Sequence, residues 1–143
     1  MGATRTGARH TILVVDDEPE VLSLFKRILW SEDAVVLPAR TGAEGLAIAR
    51  RTRLDLVILD VKLPDLNGTE ILRRLRKMDE GLPVIMVTAY GSADSVRTAM
   101  RLGAFDYLTK PFKNEEVRRI AREALMVTGA RRALLAGGLP GGK

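Results

Sequence analysis

The sequence contains no cysteine and only one histidine, His10. Without cysteine there is no disulfide framework, no thiolate metal site and no cysteine nucleophile. A single histidine near the chain start also excludes most zinc sites and argues against a histidine-based triad. No apolar run exceeds five residues, which is too short to cross a bilayer. Any chemistry therefore depends on carboxylates, hydroxyls and amines, in a reducing compartment.

The first ten residues contain no apolar segment of the kind a secretory signal needs, so we expect a cytoplasmic protein that does not contact membranes. The formal net charge of +5 lies entirely in the two ends. Residues 1–10 carry two arginines and residues 131–143 carry three basic residues, with no acid in either segment. A nucleic-acid-binding fold would carry its basic face within the folded body, so we expect no direct nucleic-acid binding by this chain.

The hydrophobic pattern alternates between short apolar runs and helical spacing along 143 residues. Five such strand–helix units occur without a hairpin signal, which predicts an α/β fold with a parallel sheet covered by helices on both faces. We predict an N-terminal tail over residues 1–10, one folded domain over 11–128, and a flexible C-terminal tail or the start of a linker over 129–143.

Polar residues stand at the ends of four of the predicted strands. Asp16 and Asp17 follow the first strand, Asp60 the third, Thr88 the fourth and Lys110 the fifth. Because all strands of a parallel sheet end at the same edge, we expect these side chains to lie close together. Taken singly, Asp17 is an ordinary helix N-cap and Lys110 an ordinary surface charge. Five such residues at one edge are difficult to explain as coincidence.

Carboxylates crowded together repel, unless a cation neutralises them. Mg²⁺ fits such a site, because it binds one or two carboxylates and keeps several waters. A phosphoryl group could then bridge to the cation, with Lys110 and Thr88 holding its oxygens. The remaining carboxylate could act as a nucleophile and form an aspartyl phosphate.

The motifs resemble those of a response-regulator receiver domain over about residues 10 to 128. The segments that carry the resemblance are Val14-Val-Asp-Asp-Glu18, Val57-Ile-Leu-Asp60, Leu63-Pro64, Asn67-Gly68, Val87-Thr88-Ala89 and Tyr107-Leu-Thr-Lys110-Pro111. The stretch from Thr88 to Phe112 is most similar to receivers of enhancer-binding, nitrogen-regulation-type transcription activators. The resemblance implies a flavodoxin-like doubly wound sheet of five parallel strands in the order 2-1-3-4-5, with five helices.

The resemblance also implies the roles of the acidic residues. Asp60 would be the phospho-acceptor. Asp17, Asp60 and the backbone carbonyl of Lys62 would bind Mg²⁺ directly, and Asp16 would act through a metal-bound water.

The remaining implied site residues follow strands four and five. Thr88 and Lys110 would hold the phosphoryl oxygens, and Tyr107 would be an aromatic switch that follows Thr88. The Lys110-Pro111 bond resembles the cis peptide of the family. Taken alone, Tyr107 reads as a half-buried strand aromatic.

The function that the resemblance implies is that of a two-component receiver. A sensor histidine kinase would phosphorylate Asp60, and the face formed by helix four, strand five and helix five would switch to control transcription through a separate effector. That face would also allow a homodimer. Such a domain is a self-phosphorylating acceptor with slow autodephosphorylation rather than a multiple-turnover enzyme.

Other interpretations remain open. The chain could be a stand-alone regulator that acts by protein–protein binding. It could also be a pseudo-receiver that acts only as a binding module. It could also be a Mg²⁺-dependent aspartyl-phosphate phosphatase, although those enzymes place a second acid where this chain has Lys62. A flavin-binding fold of the same topology would need a Ser/Thr-rich phosphate loop after strand one, which is absent from the sequence. The apolar spacing from Val117 to Leu134 could extend helix five into a coiled coil, but Gly129 interrupts it.

Overall fold

The computed structural model describes residues 7–89 and 91–137. One parallel sheet has the strand order β2-β1-β3-β4-β5. Its strands are β1 (His10–Val15), β2 (Ala34–Ala39), β3 (Leu56–Asp60), β4 (Val84–Thr88) and β5 (Asp106–Thr109). The predicted fold class and strand order are confirmed.

Helices follow each strand and cover both faces of the sheet. They are α1 (Pro19–Leu29), α2 (Gly42–Arg51), α3 (Gly68–Met78), α4 (Ala93–Arg101) and α5 (Asn114–Leu135), with a short 3-10 turn (Trp30–Glu32) after α1. No helix among the described residues has both the length and the apolar character that a membrane span requires.

The sheet separates two hydrophobic cores. On one face, α1 and α5 pack residues such as Phe25 and Ile120 against β1, β3 and β4. On the other face, α2, α3 and α4 pack residues such as Leu46 and Leu72 against the same strands. Every residue of β3 and β4 is buried, which explains their continuous apolar sequences.

Three helices begin with a side-chain cap. Thr41, Asn67 and Ser92 each accept a hydrogen bond from a backbone N–H in the first turn of α2, α3 and α4. Asp17 is not the cap of α1, because Glu18 occupies the N-cap position and Pro19 begins the helix.

The two ends differ from the predicted tails. His10 begins β1, and α5 continues through Gly129 to Leu135, so the segment predicted to be a flexible tail or linker from residue 129 is helical over its first seven residues. The helix continues because Thr128 and Arg132 bind the buried backbone and side chain of Asp55 at the start of β3. Residues 1–6 and 138–143 of the predicted tails lie outside the described residues.

Candidate functional site

The structure places the predicted site residues at the carboxyl edge of the sheet. Asp16 and Asp17 directly follow β1, Asp60 and Thr88 are the last residues of β3 and β4, and Lys110 directly follows β5. Strands β1, β3 and β4 are adjacent in the sheet, so topology alone brings their ends together.

Three carboxylates form an acidic cluster at this edge. One oxygen from each of Asp16, Asp17 and Asp60 lies within 4.8 Å of the other two. Asp16 and Asp60 are buried, whereas Asp17 is exposed. The cluster is therefore open to solvent on the Asp17 side and enclosed on the other.

Lys110 supplies a positive charge to this cluster. Its Nζ lies 3.0 Å from Oδ2 of Asp16 and 3.3 Å from Oδ2 of Asp60. Glu18 Oε1 is a third, more distant contact at 3.5 Å. We did not predict the Glu18 contact, although its position two residues after Asp16 places it beside the same edge.

Burial raises the pKa of Asp60, and the negative charge of Asp16 raises it further; the backbone N–H of Lys62 and the ammonium of Lys110 only partly offset these effects. Burial by itself would lower the pKa of Lys110. The hydrogen bond and charge of Asp16, with those of Asp60, outweigh burial and raise that pKa. Lys110 is therefore a permanent cation at this site at neutral pH.

The donor set fits a hard divalent cation. Mg²⁺ binds oxygen ligands, takes few carboxylates and retains water, and the exposed Asp17 leaves room for that water. The pKa of Asp60 is raised, chiefly by burial, in spite of the nearby ammonium of Lys110. A cation of charge two would favour the ionised form of that carboxyl group.

The loop after β3 is tightly folded around Asp60. Oδ1 of Asp60 accepts the backbone N–H of Lys62 at 3.1 Å, and Lys62 pairs with Asn67 across the loop. At Gly68 a side chain would meet the backbone of Asp60 and of Val61 at 2.7 Å, so only glycine allows α3 to begin this close to Asp60.

Thr88 and Tyr107 line one cavity of about 260 Å³ between the sheet and α4. Thr88 is buried and Tyr107 is half-buried. The phenol of Tyr107 lies against Gly91, where a side chain would approach its oxygen to 3.3 Å. The two predicted switch residues therefore share a space in which a side chain can move. The Lys110-Pro111 peptide bond is cis.

Comparison with known proteins gives one family. The model of the response regulator receiver domain matches residues 12–122. The chain is 41% identical over 123 residues to the probable transcriptional regulatory protein TcrX of Mycobacterium tuberculosis, covering 86% of this chain and 53% of TcrX. It is 37% identical over 114 residues to sporulation initiation phosphotransferase F of Bacillus subtilis, covering 80% of this chain and 92% of that protein.

A solved structure agrees with these sequence relatives. The crystal structure of NtrX from Brucella abortus in complex with ATP matches with a TM-score of 0.80 and 32% identity, covering 87% of this chain and 29% of that one. The chain thus spans about half the length of TcrX and less than a third of the NtrX chain, but nearly all of phosphotransferase F.

Proposed function

Because this chain belongs to the response regulator receiver domain family of two-component systems, we propose that it accepts a phosphoryl group on Asp60 from the phosphohistidine of a sensor histidine kinase. The observation that carries this proposal is the position of Lys110, whose Nζ lies 3.0 Å from Asp16 and 3.3 Å from Asp60 beside the acidic cluster. Receiver domains are phosphorylated by histidine kinases, and this geometry supports Asp60 as the acceptor within the chain.

The transfer requires only one nucleophile from this chain. A carboxylate oxygen of Asp60 attacks phosphorus, the new P–O bond forms as the P–N bond of the phosphohistidine breaks, and the electron pair of that bond remains on the imidazole. Lys110 then pairs with a phosphoryl oxygen as a point charge. Asp60 is held for this attack by the backbone N–H of Lys62.

Asp17, Asp60 and the backbone carbonyl of Lys62 would hold Mg²⁺ directly, with Asp16 acting through water. The bound cation would supply charge neutralisation between the carboxylates and the incoming phosphoryl oxygens. Asp16 also has a role of its own, because its Oδ1 accepts the N–H of Glu18 at 2.9 Å and thereby shapes the turn that presents Asp17.

Phosphorylation would change the structure through movement of Thr88 and Tyr107. The acyl phosphate places more negative charge and more acceptor oxygens at the end of β3, and the Thr88 hydroxyl at the end of the neighbouring strand is a donor for one of them. Movement of Thr88 would open space in the shared cavity for Tyr107. Only Ala99 of α4 is buried, so this helix is held by few apolar contacts and can respond.

The face formed by α4, β5 and α5 is therefore the proposed output surface. It would contact an effector that controls transcription, or a second copy of the chain in a homodimer. The likeness to NtrX supports the resemblance to receivers of enhancer-binding activators, and the length of TcrX is consistent with an effector in a longer protein. Phosphotransferase F, of which the chain covers 92%, equally supports a stand-alone regulator.

We further propose a cytoplasmic domain, extending from His10 through Leu135, that does not itself bind nucleic acid. It would act as a phosphoryl acceptor with slow autodephosphorylation, in which water attacks phosphorus and releases inorganic phosphate. Sedimentation with and without beryllofluoride tests the homodimer: the sedimentation coefficient should rise on activation, and a monomer under both conditions would contradict it.

The acceptor proposal is tested by intact-protein mass after incubation with acetyl phosphate and Mg²⁺. We expect an adduct of one phosphoryl group that is lost with EDTA and lost in Asp60→Asn. Asp55→Asn is unsuitable as a control because Asp55 is part of the core, whereas Asp94→Asn changes an exposed aspartate on α4 and should keep the adduct. An adduct that survives in Asp60→Asn would contradict the assignment.

A further inference from the structure

The turn between β2 and α2 contacts both loops that carry the proposed cation ligands. We propose that residues 40–43, here called the β2–α2 brace, fix these two loops relative to each other, with Arg40 and Asp65 as positioning residues for Mg²⁺ binding. The inference rests on the proposed function, because it concerns the same cation site.

Arg40 holds the loop between β1 and α1. Its Nε and Nη2 both donate to the backbone carbonyl of Asp17, at 3.3 and 3.1 Å. The strands guide this contact, because the N–H of Asp16 donates to the carbonyl of Ala39 at 2.9 Å immediately before the two chains diverge. The guanidinium binds the backbone of Asp17, which leaves the exposed carboxylate of that residue for a cation.

Arg40 is itself anchored to the first turn of α2. Its backbone N–H donates to Oε1 of Glu44 at 2.7 Å, and the N–H of Glu44 donates to Oγ1 of Thr41 at 3.1 Å. Glu44 thus binds both the N-cap residue Thr41 and the residue before it, a variant of the capping box that fixes the start of α2. The backbone of Arg40 is therefore fixed at the start of α2, and from there its guanidinium reaches the Asp17 carbonyl.

Asp65 connects the other loop to the same helix start. Its Oδ1 and Oδ2 accept the backbone N–H groups of Gly42 and Ala43 at 2.8 and 2.9 Å. Asp65 lies three residues after Lys62, whose carbonyl is the proposed ligand, in the loop that follows Asp60. Two backbone amides accepted by one carboxylate make a charge-assisted contact between α2 and that loop.

Gly42 allows this contact to be close. A side chain there would lie 2.6 Å from Cδ1 of Ile71 and 3.1 Å from Cβ of Leu66. Ile71 is buried in the core, so it has little space into which to retreat. The start of α2 thus packs directly on the loop that carries Lys62, and Asp65 closes the same junction with hydrogen bonds.

The brace joins the two loops in addition to the sheet and to Lys110, which contacts both Asp16 and Asp60. A cation bound between Asp17 and Lys62 depends on the distance between these loops, and side chains that hold metal ligands in position affect affinity as well as structure. Loss of Arg40 as a positioning residue should weaken Mg²⁺ binding, whereas loss of its charge alone should strengthen it. A cation near an acidic site repels Mg²⁺, so removal of the guanidinium would tighten Mg²⁺ binding if Arg40 had only an electrostatic role.

The sign of the change in Mg²⁺ affinity therefore tests the inference. We would titrate the unphosphorylated protein with Mg²⁺ by calorimetry and follow the backbone amide signals of Asp17 and Lys62 by NMR. Arg40→Ala should raise the Kd for Mg²⁺ about tenfold, at the lower end of the effect of losing a residue that orients a metal ligand. Arg40→Lys keeps the charge but loses the guanidinium that donates twice to the Asp17 carbonyl. Its Kd for Mg²⁺ should lie between those of the wild type and Arg40→Ala.

Matched variants control for charge and for folding. Arg50→Ala removes an exposed arginine from the last turn of α2 and should leave the Kd for Mg²⁺ within twofold of the wild-type value. Asp65→Asn should raise the Kd and shift the Lys62 amide signal before Mg²⁺ is added. Glu70→Gln removes the same charge from the surface of α3 and should do neither. Thermal melting by circular dichroism verifies that each variant is folded.

An unchanged or lower Kd in Arg40→Ala would overturn the inference for Arg40, and an unchanged Kd in Asp65→Asn would overturn it for Asp65. Failure of the proposed function would look different. Wild-type protein would then bind Mg²⁺ without gaining a phosphoryl group from acetyl phosphate, while the order of Mg²⁺ affinities among the variants would still be measured.

Discussion

The ion pair of Arg132 with Asp55 helps to hold the C-terminal end of α5 against the sheet, and its removal should have a large and local effect. Arg132 forms an ion pair with Oδ1 of Asp55, and its Nη2 donates to the carbonyl of Leu54 at 3.1 Å. Oδ2 of Asp55 accepts the N–H of Thr11 at 2.6 Å. The Asp55 side chain is only 6% exposed and that of Arg132 is 31% exposed, so the pair is largely removed from solvent.

Arg132→Ala should lower the free energy of unfolding by about 2–3 kcal/mol. The value is that of losing a hydrogen bond to a charged group. It falls below the 3–5 kcal/mol typical of a broken buried pair, because Thr11 still donates to Asp55. For a chain of this size, that change corresponds to a fall in Tm of roughly 6–12 °C. Urea unfolding measures it directly, and hydrogen exchange should show lost protection mainly over residues 129–135.

The neighbouring arginine provides the control. Arg131 pairs with Asp79 at 3.0 Å, but both side chains are about 40% exposed, so Arg131→Ala should change stability by at most about 1 kcal/mol. The reasoning would be refuted if Arg132→Ala unfolded within 0.5 kcal/mol of the wild type, or if the two variants were equally destabilised.

Three further changes should give distinct results. Lys110→Met removes the ammonium beside Asp60, so Mg²⁺ should bind about tenfold tighter by calorimetry, from reduced charge repulsion, while the phosphorylation rate falls at least about a hundredfold. The pKa of Asp65 is lowered, chiefly by hydrogen bonds from the N–H groups of Ala43 and Gly42. These contacts are therefore fully present above the ordinary carboxyl pKa, and they are lost only as pH falls through the lowered pKa of Asp65 in the folded protein. An NMR pH titration of the Gly42 amide should show that midpoint below the pKa of an ordinary aspartate. Gly68→Ala should destabilise the domain by about 1–3 kcal/mol in urea, because its side chain would meet backbone atoms at 2.7 Å.

The carboxyl edge could be predicted because it follows from topology. Residues at the ends of parallel strands share one edge whatever their side chains do, and Asp16, Asp60, Thr88 and Lys110 all end or follow strands. Lys110 could be assigned to the acidic cluster on that basis alone. The contact of Glu18 with Lys110 could not, because it depends on the turn that the Asp16 side chain forms with the Glu18 N–H.

The end of α5 could not be predicted, for an energetic reason. Gly129 costs a helix about 1 kcal/mol relative to alanine, and the residues after it resemble a linker, so local propensity predicts that the helix ends near that position. The compensation comes from Asp55, 73 residues before Thr128 and 77 before Arg132. Contacts between residues so far apart in the sequence leave no local pattern. An aspartate directly before a strand, as Asp55 is, indicates a turn rather than the partner of a distant arginine.

Separation in the sequence also explains why the β2–α2 brace could not be predicted. Arg40 and Asp17 are 23 residues apart, as are Gly42 and Asp65, and neither pair belongs to a repeating pattern. Arg40 also stands directly before the N-cap residue of α2, where an exposed arginine has an ordinary explanation. Its second role appears only when β2 lies beside β1, since that pairing places residue 40 next to the turn after Val15. Neighbouring strands therefore determine not only which polar residues meet at the edge but also which surface residues can hold them there.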